Sequence, residues 1–327
     1  MNKKTIIYQV LPRLFGNRNS TCKKNGTLAE NGVGKMNDFD TMRLRKIHEM
    51  GFTHVWYTGL LRHATTTDYT QYGIPRQHAF VVKGNAGSPY AIVDYYDIDP
   101  DLAVDVPNRM GEFEELVSRT HLAGMKVIID FVPNHVGREY KSINLPAGTR
   151  DLGADDNTNK HFDPQNNFYY CPGHQFVSPA SAEDDFSPYV EFPAKCTGND
   201  KFNATPGLYD WYETVKLNYG IDYCDAGGRS YHYNPVPDTW KKMTEILLFW
   251  AAKGIDGFRC DMAEMVPHDF WAYATNIVKE SFPNIIFIGE VYDTNQYRTY
   301  VASGFDYLYD KVGMYDCLRD VVCERRP

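Results

Sequence analysis

The sequence predicts an α/β fold built on a parallel sheet, and three observations carry that prediction. Four times an amphipathic stretch passes through Gly or Pro into a short β-rich segment: His48 to Gly51 into Phe52 to Tyr57, Leu122 to Gly124 into Lys126 to Phe131, Ala252 to Gly254 into Ile255 to Cys260, and Phe282-Pro283 into Ile285 to Gly289. A helix closed by glycine and followed by a buried strand is the repeating unit of a parallel sheet covered by helices. Three of these strands end in a carboxylate, Asp130, Asp261 and Glu290. The repeat breaks once, between 136 and about 222, immediately after Asn134-His135 at a strand end.

The elements follow in order. Ile6 to Val10 reads as the first strand and Phe305 to Leu308 as a later one, about six in all. Phe113, Leu116, Val117 and Thr120 recur at helical spacing ahead of Gly124; Trp240, Met243, Leu247, Trp250 and Ala251 do so behind Asp238, which can cap that helix, and ahead of Gly254. The stretch 136–222 is rich in Asn, Asp, Gly, Pro and aromatics and has no long helical period, so it reads as an inserted domain with an irregular core. The expected organisation is a barrel formed by 1–135 and 223–327, with the insertion at 136–222 leaving from the face where an α/β barrel keeps its chemistry.

Composition narrows the function. With 43% hydrophobic and 23% charged residues over 327 positions, the chain has material for one large core or two small ones. A net charge of −8, with Lys3-Lys4 and Arg325-Arg326 as mere pairs, offers nothing to nucleic acid or an anionic membrane. Apolar runs such as Ile246 to Ala252 fall far short of the roughly 20 residues of a membrane span. Gln9, Pro12 and Arg13 interrupt the only signal-like start, so a cytoplasmic protein is expected, or a secreted or periplasmic one if a signal peptide has already been removed. Seven cysteines lack any Cys-x-x-Cys spacing and read as free thiols, without a zinc site or a disulfide framework. No glycine-rich phosphate loop follows a strand, which argues against a nucleotide cofactor.

In a parallel barrel the strand ends converge on one mouth, bringing Asp130, Asp261 and Glu290 together with Arg259 and His135. Two carboxyl groups roughly 5 Å apart are what retaining glycoside hydrolysis uses. Arg259, two residues before Asp261, projects to the same side and is expected to hold it ionised as the nucleophile. Glu290, if less solvated, suits a proton donor.

These motifs resemble glycoside hydrolase family 13, the α-amylase family. Asp130-Phe131-Val132-Pro133-Asn134-His135 is similar to the first conserved region, Gly257-Phe258-Arg259-Cys260-Asp261 to the second and Ile288-Gly289-Glu290-Val291 to the third. Tyr8-Gln9-Val10, Ser88-Pro89-Tyr90, Asp94-Tyr95-Tyr96 and Ile98-Asp99-Pro100 fit in order and spacing. The resemblance implies a (β/α)8 TIM-barrel catalytic domain with an irregular domain inserted after strand 3. It implies a retaining α-glycosidase acting on α-1,4-glucans such as starch and maltodextrins through a covalent glycosyl-enzyme. Asp261 would be the nucleophile, Glu290 the acid/base and Arg259 the orienting group; Tyr90 would stack on a sugar, and His135, Asp130 and Glu264 would stand on the substrate. No organic cofactor is implied.

The departures carry their own expectations. The family's fourth region, with its third carboxylate, is not found, and only 37 residues follow Glu290; the expectation is a chain incomplete at its C-terminus and weakly active or inactive as written. Asn134 is the candidate metal ligand, for a structural calcium, but Lys216 stands where the partnering Asp would be and implies a metal-free site. Ala91 replaces an Asp of the exo-acting branch and implies a longer, open-ended glucan; Glu264-Met265 replace the Lys-His pair common in α-amylases. The alternatives are a non-catalytic maltooligosaccharide-binding or regulatory protein and an α-glucan transglycosylase.

Overall fold

Period-two alternation in the strands builds the molecule outward from its axis. The computed structural model describes residues 4–180 and 187–325; residues 1–3, 181–186 and 326–327, which include Lys3, Arg326 and both ends of the expected barrel domain, lie outside the described residues. Six strands, β1 (Ile7–Val10), β2 (His54–Tyr57), β3 (Lys126–Phe131), β4 (Gly257–Cys260), β5 (Ile286–Gly289) and β6 (Tyr307–Leu308), form one sheet in chain order. Every pairing is parallel. Helices α1 (Thr41–Glu49), α2 (Arg109–Leu122), α3 (Asp238–Ala252), α4 (His268–Ser281) and α5 (Tyr297–Ala302) lie between successive strands, and α6 (Cys317–Val322) follows the last.

Val55, Tyr57, Val127, Ile129, Phe131, Phe258 and Phe287 share the main core with helical residues such as Phe113, Leu116, Met243, Leu247 and Trp250. Their alternates Trp56, Ile128 and Ile288 form a second cluster inside the curl, with Ile7, Ile286 and Tyr309 packed on it. Gly257 belongs to that crowded inner face: a Cβ there would lie 2.5 Å from the side chain of Ile286. The sheet bends until Thr5 Oγ1 and the Tyr307 hydroxyl, at opposite edges, come within 2.9 Å.

Asp238, expected to cap α3, is instead its first residue, after Pro237; its carboxylate pairs with Lys242 one turn on at 2.8 Å. The other apolar positions expected on α2 and α3 are buried.

Among its described residues, the segment 136–222 holds only short ribbons. His135–Gly137 pairs antiparallel with Thr214–Lys216 at its neck, and Tyr170–Cys171 pairs with Ala194–Lys195 further out. Tyr169, Cys171, Phe176, Ala194, Cys196 and Tyr212 form a small apolar cluster that also takes in Val81 from the β2–β3 connection. Leu152, Phe168, Val215, Leu217 and Tyr219 pack instead on the main core. Among the described residues, no helix is long and apolar enough to cross a membrane.

Candidate active site

The strand register assembles the site. Arg259 on β4 sits directly beside Asp130 on β3 and Ile288 on β5. Two residues further along the same inner face come Asp261 and Glu290, whose backbone N–H groups continue the ladder onto Phe131 and Cys260 carbonyls at 2.8 and 3.1 Å.

One guanidinium holds the three carboxylates. Arg259 Nη1 donates to Asp261 Oδ1 at 2.6 Å and faces Asp130 Oδ1 at 3.5 Å, while Nη2 lies 2.6 Å from Glu290 Oε2. Its Nε donates to the Tyr309 hydroxyl at 3.0 Å. The rings of Trp56, Tyr90 and Tyr309 surround the same cation, with their centroids 5.2, 5.6 and 5.5 Å away. All four charged groups are buried.

One positive charge against three negative ones in a dry pocket sets the electrostatics. Burial pushes Asp261 up to about 7 against the pull of Arg259, with Glu290 and Asp130 adding to the rise. Burial pushes Asp130 up to about 6, again against Arg259. Arg259 was expected to hold Asp261 ionised; its pull is there, but burial first and the neighbouring carboxylates second outweigh it.

Glu290 is fixed from both sides. Its Oε2 accepts the N–H of Met262 at 2.8 Å, and its Oε1 accepts the Tyr292 hydroxyl. Met262 adopts φ +46°, a left-handed backbone that a methionine rarely takes, immediately after Asp261. Neither Tyr292 nor Tyr309 was singled out from the sequence; Tyr292 stands two residues beyond Glu290, where strand periodicity already pointed.

Asp130 and Glu264, expected on the substrate, each accept hydrogen bonds from the protein, while Asp130 Oδ1 is buried with no hydrogen-bond partner among the described residues. Asp130 Oδ2 accepts the Gly59 N–H at 3.1 Å, beside Arg259. Glu264 Oε2 accepts the N–H groups of Tyr292 and Asp293 at 2.7 and 3.1 Å, tying the loop after β5 to the turn after β4. It also lines a cleft of about 620 Å³ with Tyr223, Arg229, Tyr231 and Tyr233.

His135 is buried against Trp211, with ring centroids 5.3 Å apart, and burial, aided by Lys216 and Lys83, drives it down to about 3. It is a neutral imidazole across the physiological range. Asn134, the candidate metal ligand, already has its partners: Oδ1 accepts the Lys216 ammonium at 2.5 Å, and Nδ2 donates to the Gly198 carbonyl at 2.8 Å. The same ammonium lies 2.8 Å from Asp200. A buried cation between the two oxygen donors does not fit a second cation there.

The model of the α-amylase catalytic domain matches residues 9–307. The chain belongs to the α-amylase family. Among curated relatives it is 23% identical over 299 residues to neopullulanase 2 of Thermoactinomyces vulgaris, covering 89% of this chain and 39% of the relative. It is 25% identical over 310 residues to maltase A2 of Drosophila melanogaster, covering 93% of this chain and 41% of the relative. Among solved structures, the α-amylase of Lactobacillus plantarum superposes with a TM-score of 0.59 at 22% identity, covering 98% of this chain and 56% of that one. The chain therefore spans about two fifths of these curated relatives and about half of the solved structure. The curled sheet is part of the family's (β/α)8 barrel.

Proposed function

We propose that this chain carries the catalytic centre of a retaining α-glycosidase acting on α-1,4-glucans, with 136–222 as an inserted domain walling its cleft. The observation that carries the reading is the Arg259 fork, which holds Asp261 and Glu290 on its two Nη atoms, each at 2.6 Å. Two carboxyl groups so held can flank one glycosidic bond.

The reactive form is the one with Asp261 ionised and the proton on Glu290; in the first step Glu290 gives that proton to the glycosidic oxygen while the Asp261 carboxylate attacks the anomeric carbon. The carbon–oxygen bond breaks, the leaving chain departs with the proton, and a β-glycosyl ester forms on Asp261. In the second step ionised Glu290 takes a proton from water, the resulting hydroxide displaces Asp261, and the α configuration returns. A sugar hydroxyl in place of water gives transglycosylation by the same chemistry.

Arg259 orients the nucleophile, and Tyr90, half-buried above it, offers a sugar-stacking face. Neutral His135 donates to a sugar hydroxyl. Asp130 and Glu264 act on the protein side, positioning Arg259 and the loop that carries Tyr292. No cofactor enters the steps. Tyr231 and Tyr233 in the adjoining cleft supply platforms for further glucose units, consistent with the open-ended substrate that Ala91 implies.

Reducing-sugar release from maltoheptaose and soluble starch tests the reading, measured on this chain and, where the natural protein continues beyond residue 327, on its full length. Turnover that Asp261→Asn and Glu290→Gln each reduce by at least about a thousandfold supports it. Maltooligosaccharide binding with no product from any form would make the protein a sugar-binding relative.

A further inference from the structure

Two of the seven thiols, far apart in sequence, meet in the small apolar cluster. Cys171 ends one strand of the outer ribbon and Cys196 directly follows the other; their Sγ atoms lie 3.7 Å apart. His161 joins them: its ring nitrogen and the two sulphurs all lie within 4.8 Å of one another. Cys224, arriving from the loop beyond the neck ribbon, places its Sγ 3.1 Å from His161 Nε2.

The geometry is that of a ligand set. Two thiolates on a tetrahedral zinc, each with a Zn–S bond of about 2.3 Å, are separated by about 3.8 Å, close to the observed spacing. His161 Nδ1 lies 2.6 Å from the Tyr170 carbonyl, which can only accept; the ring proton is therefore on Nδ1, and Nε2 turns its lone pair toward the Cys224 sulphur. Two sulphurs and one imidazole make up the assembled set, and Cys224, outside it but against His161, is the candidate fourth ligand; such sulphur and imidazole donors favour zinc over the hard cations that oxygen donors select. The neighbouring Arg138 is buried, paired with Glu191 at 2.6 Å and set 3.8 Å over the Phe176 ring.

We infer that His161, Cys171, Cys196 and Cys224 form a structural zinc site that staples the inserted segment. Its short strands and few aliphatic side chains leave it the kind of unit that a metal stabilises. Binding releases three thiol protons to solvent, and the resulting single negative charge lies near Arg138. The site also braces the glucan cleft. The Cys196 carbonyl accepts the Lys216 N–H at 2.9 Å, and two residues on, Gly198 packs so closely on His135 that a Cβ there would lie 2.7 Å from its side chain. All seven cysteines are free thiols, as the sequence led one to expect, and the proximity of these ligands has no signature in it because no two sit at a Cys-x-x-Cys spacing.

The test is elemental analysis of untagged chain purified without chelator, followed by exchange with Co²⁺. The expected result is one zinc per chain and, with cobalt, thiolate charge-transfer absorption with the intense d–d bands of a tetrahedral centre. Cys196→Ser should drop metal content below about a tenth. Exposed Cys224→Ser, with its fold verified by circular dichroism, should keep the fold and weaken zinc binding by roughly tenfold or more. Wild-type chain that takes up neither zinc nor cobalt overturns the inference. So does a denatured, metal-free sample with two fewer titratable thiols than its seven cysteines, which would mean a Cys171–Cys196 disulfide.

Discussion

At the scale of residues, the shared guanidinium decides how the site behaves with pH. Asp261 is pushed up to about 7 in the fold, far above the roughly 3.9 of an unfolded aspartate. Between those values the folded state holds more proton than the unfolded one, so this residue's contribution to stability is full below about pH 4 and is lost as pH rises through about 7. Asp261→Asn removes the penalty. Its thermal midpoint should match wild type near pH 4 and exceed it by about 2–4 °C near pH 8; an equal or lower midpoint at both pH values would contradict the sign. At Asn134 the Lys216 ammonium leaves no room for calcium. Added Ca²⁺ should therefore leave the wild-type midpoint unchanged and raise that of Lys216→Asp by several degrees, read by scanning calorimetry in the presence and absence of the ion.

At the scale of elements, the strand period explains what the sequence shows and what it conceals. Arg259, Asp261 and Glu290 were legible because each lies at the end of a short β-rich run behind a glycine-terminated helix, and side chains two apart share a face. The six strands were legible for the same reason, to within one or two residues at their starts. Tyr309 was not, since β6 is only two residues long and its neighbours give no pattern. For Glu264 sequence order gave only its place three residues after Asp261; the short 3-10 turn Ala263–Met265, which turns its carboxylate onto the loop after β5 at the wall of the cleft, had no signal in the sequence. The proposed zinc ligands come from a two-residue ribbon and two loops far apart in sequence, and linear spacing carries no trace of their meeting. Tyr292→Phe tests the element-level view. Without the hydroxyl on Glu290 Oε1 the carboxyl loses an anchor, so kcat should fall about tenfold with KM little changed. A variant whose KM alone rises would place Tyr292 on the substrate instead.

At the scale of the whole molecule, β1 and β6 stand at the two edges of the sheet, with hydrogen-bonding groups that no described strand pairs. The last helical segment exposes Val312, Met314, Leu318, Val321 and Val322, more apolar surface than an isolated helix end tolerates in water. The chain as given should associate at micromolar concentration, and the double variant Leu318→Glu, Val321→Lys should shift it toward monomer in sedimentation velocity. The proposed catalytic centre lies at the opposite end of the strands from the Thr5–Tyr307 contact, formed by residues of β3, β4 and β5 and the turns that follow them. Its chemistry is open to one direct measurement. Incubation with a fluorinated α-maltosyl fluoride, which forms the glycosyl ester readily and releases it slowly, should add one sugar mass to the protein, and peptide mapping should place it on Asp261. The same mass on another carboxylate, or none while the sugar still binds, would contradict the assignment of Asp261 as nucleophile.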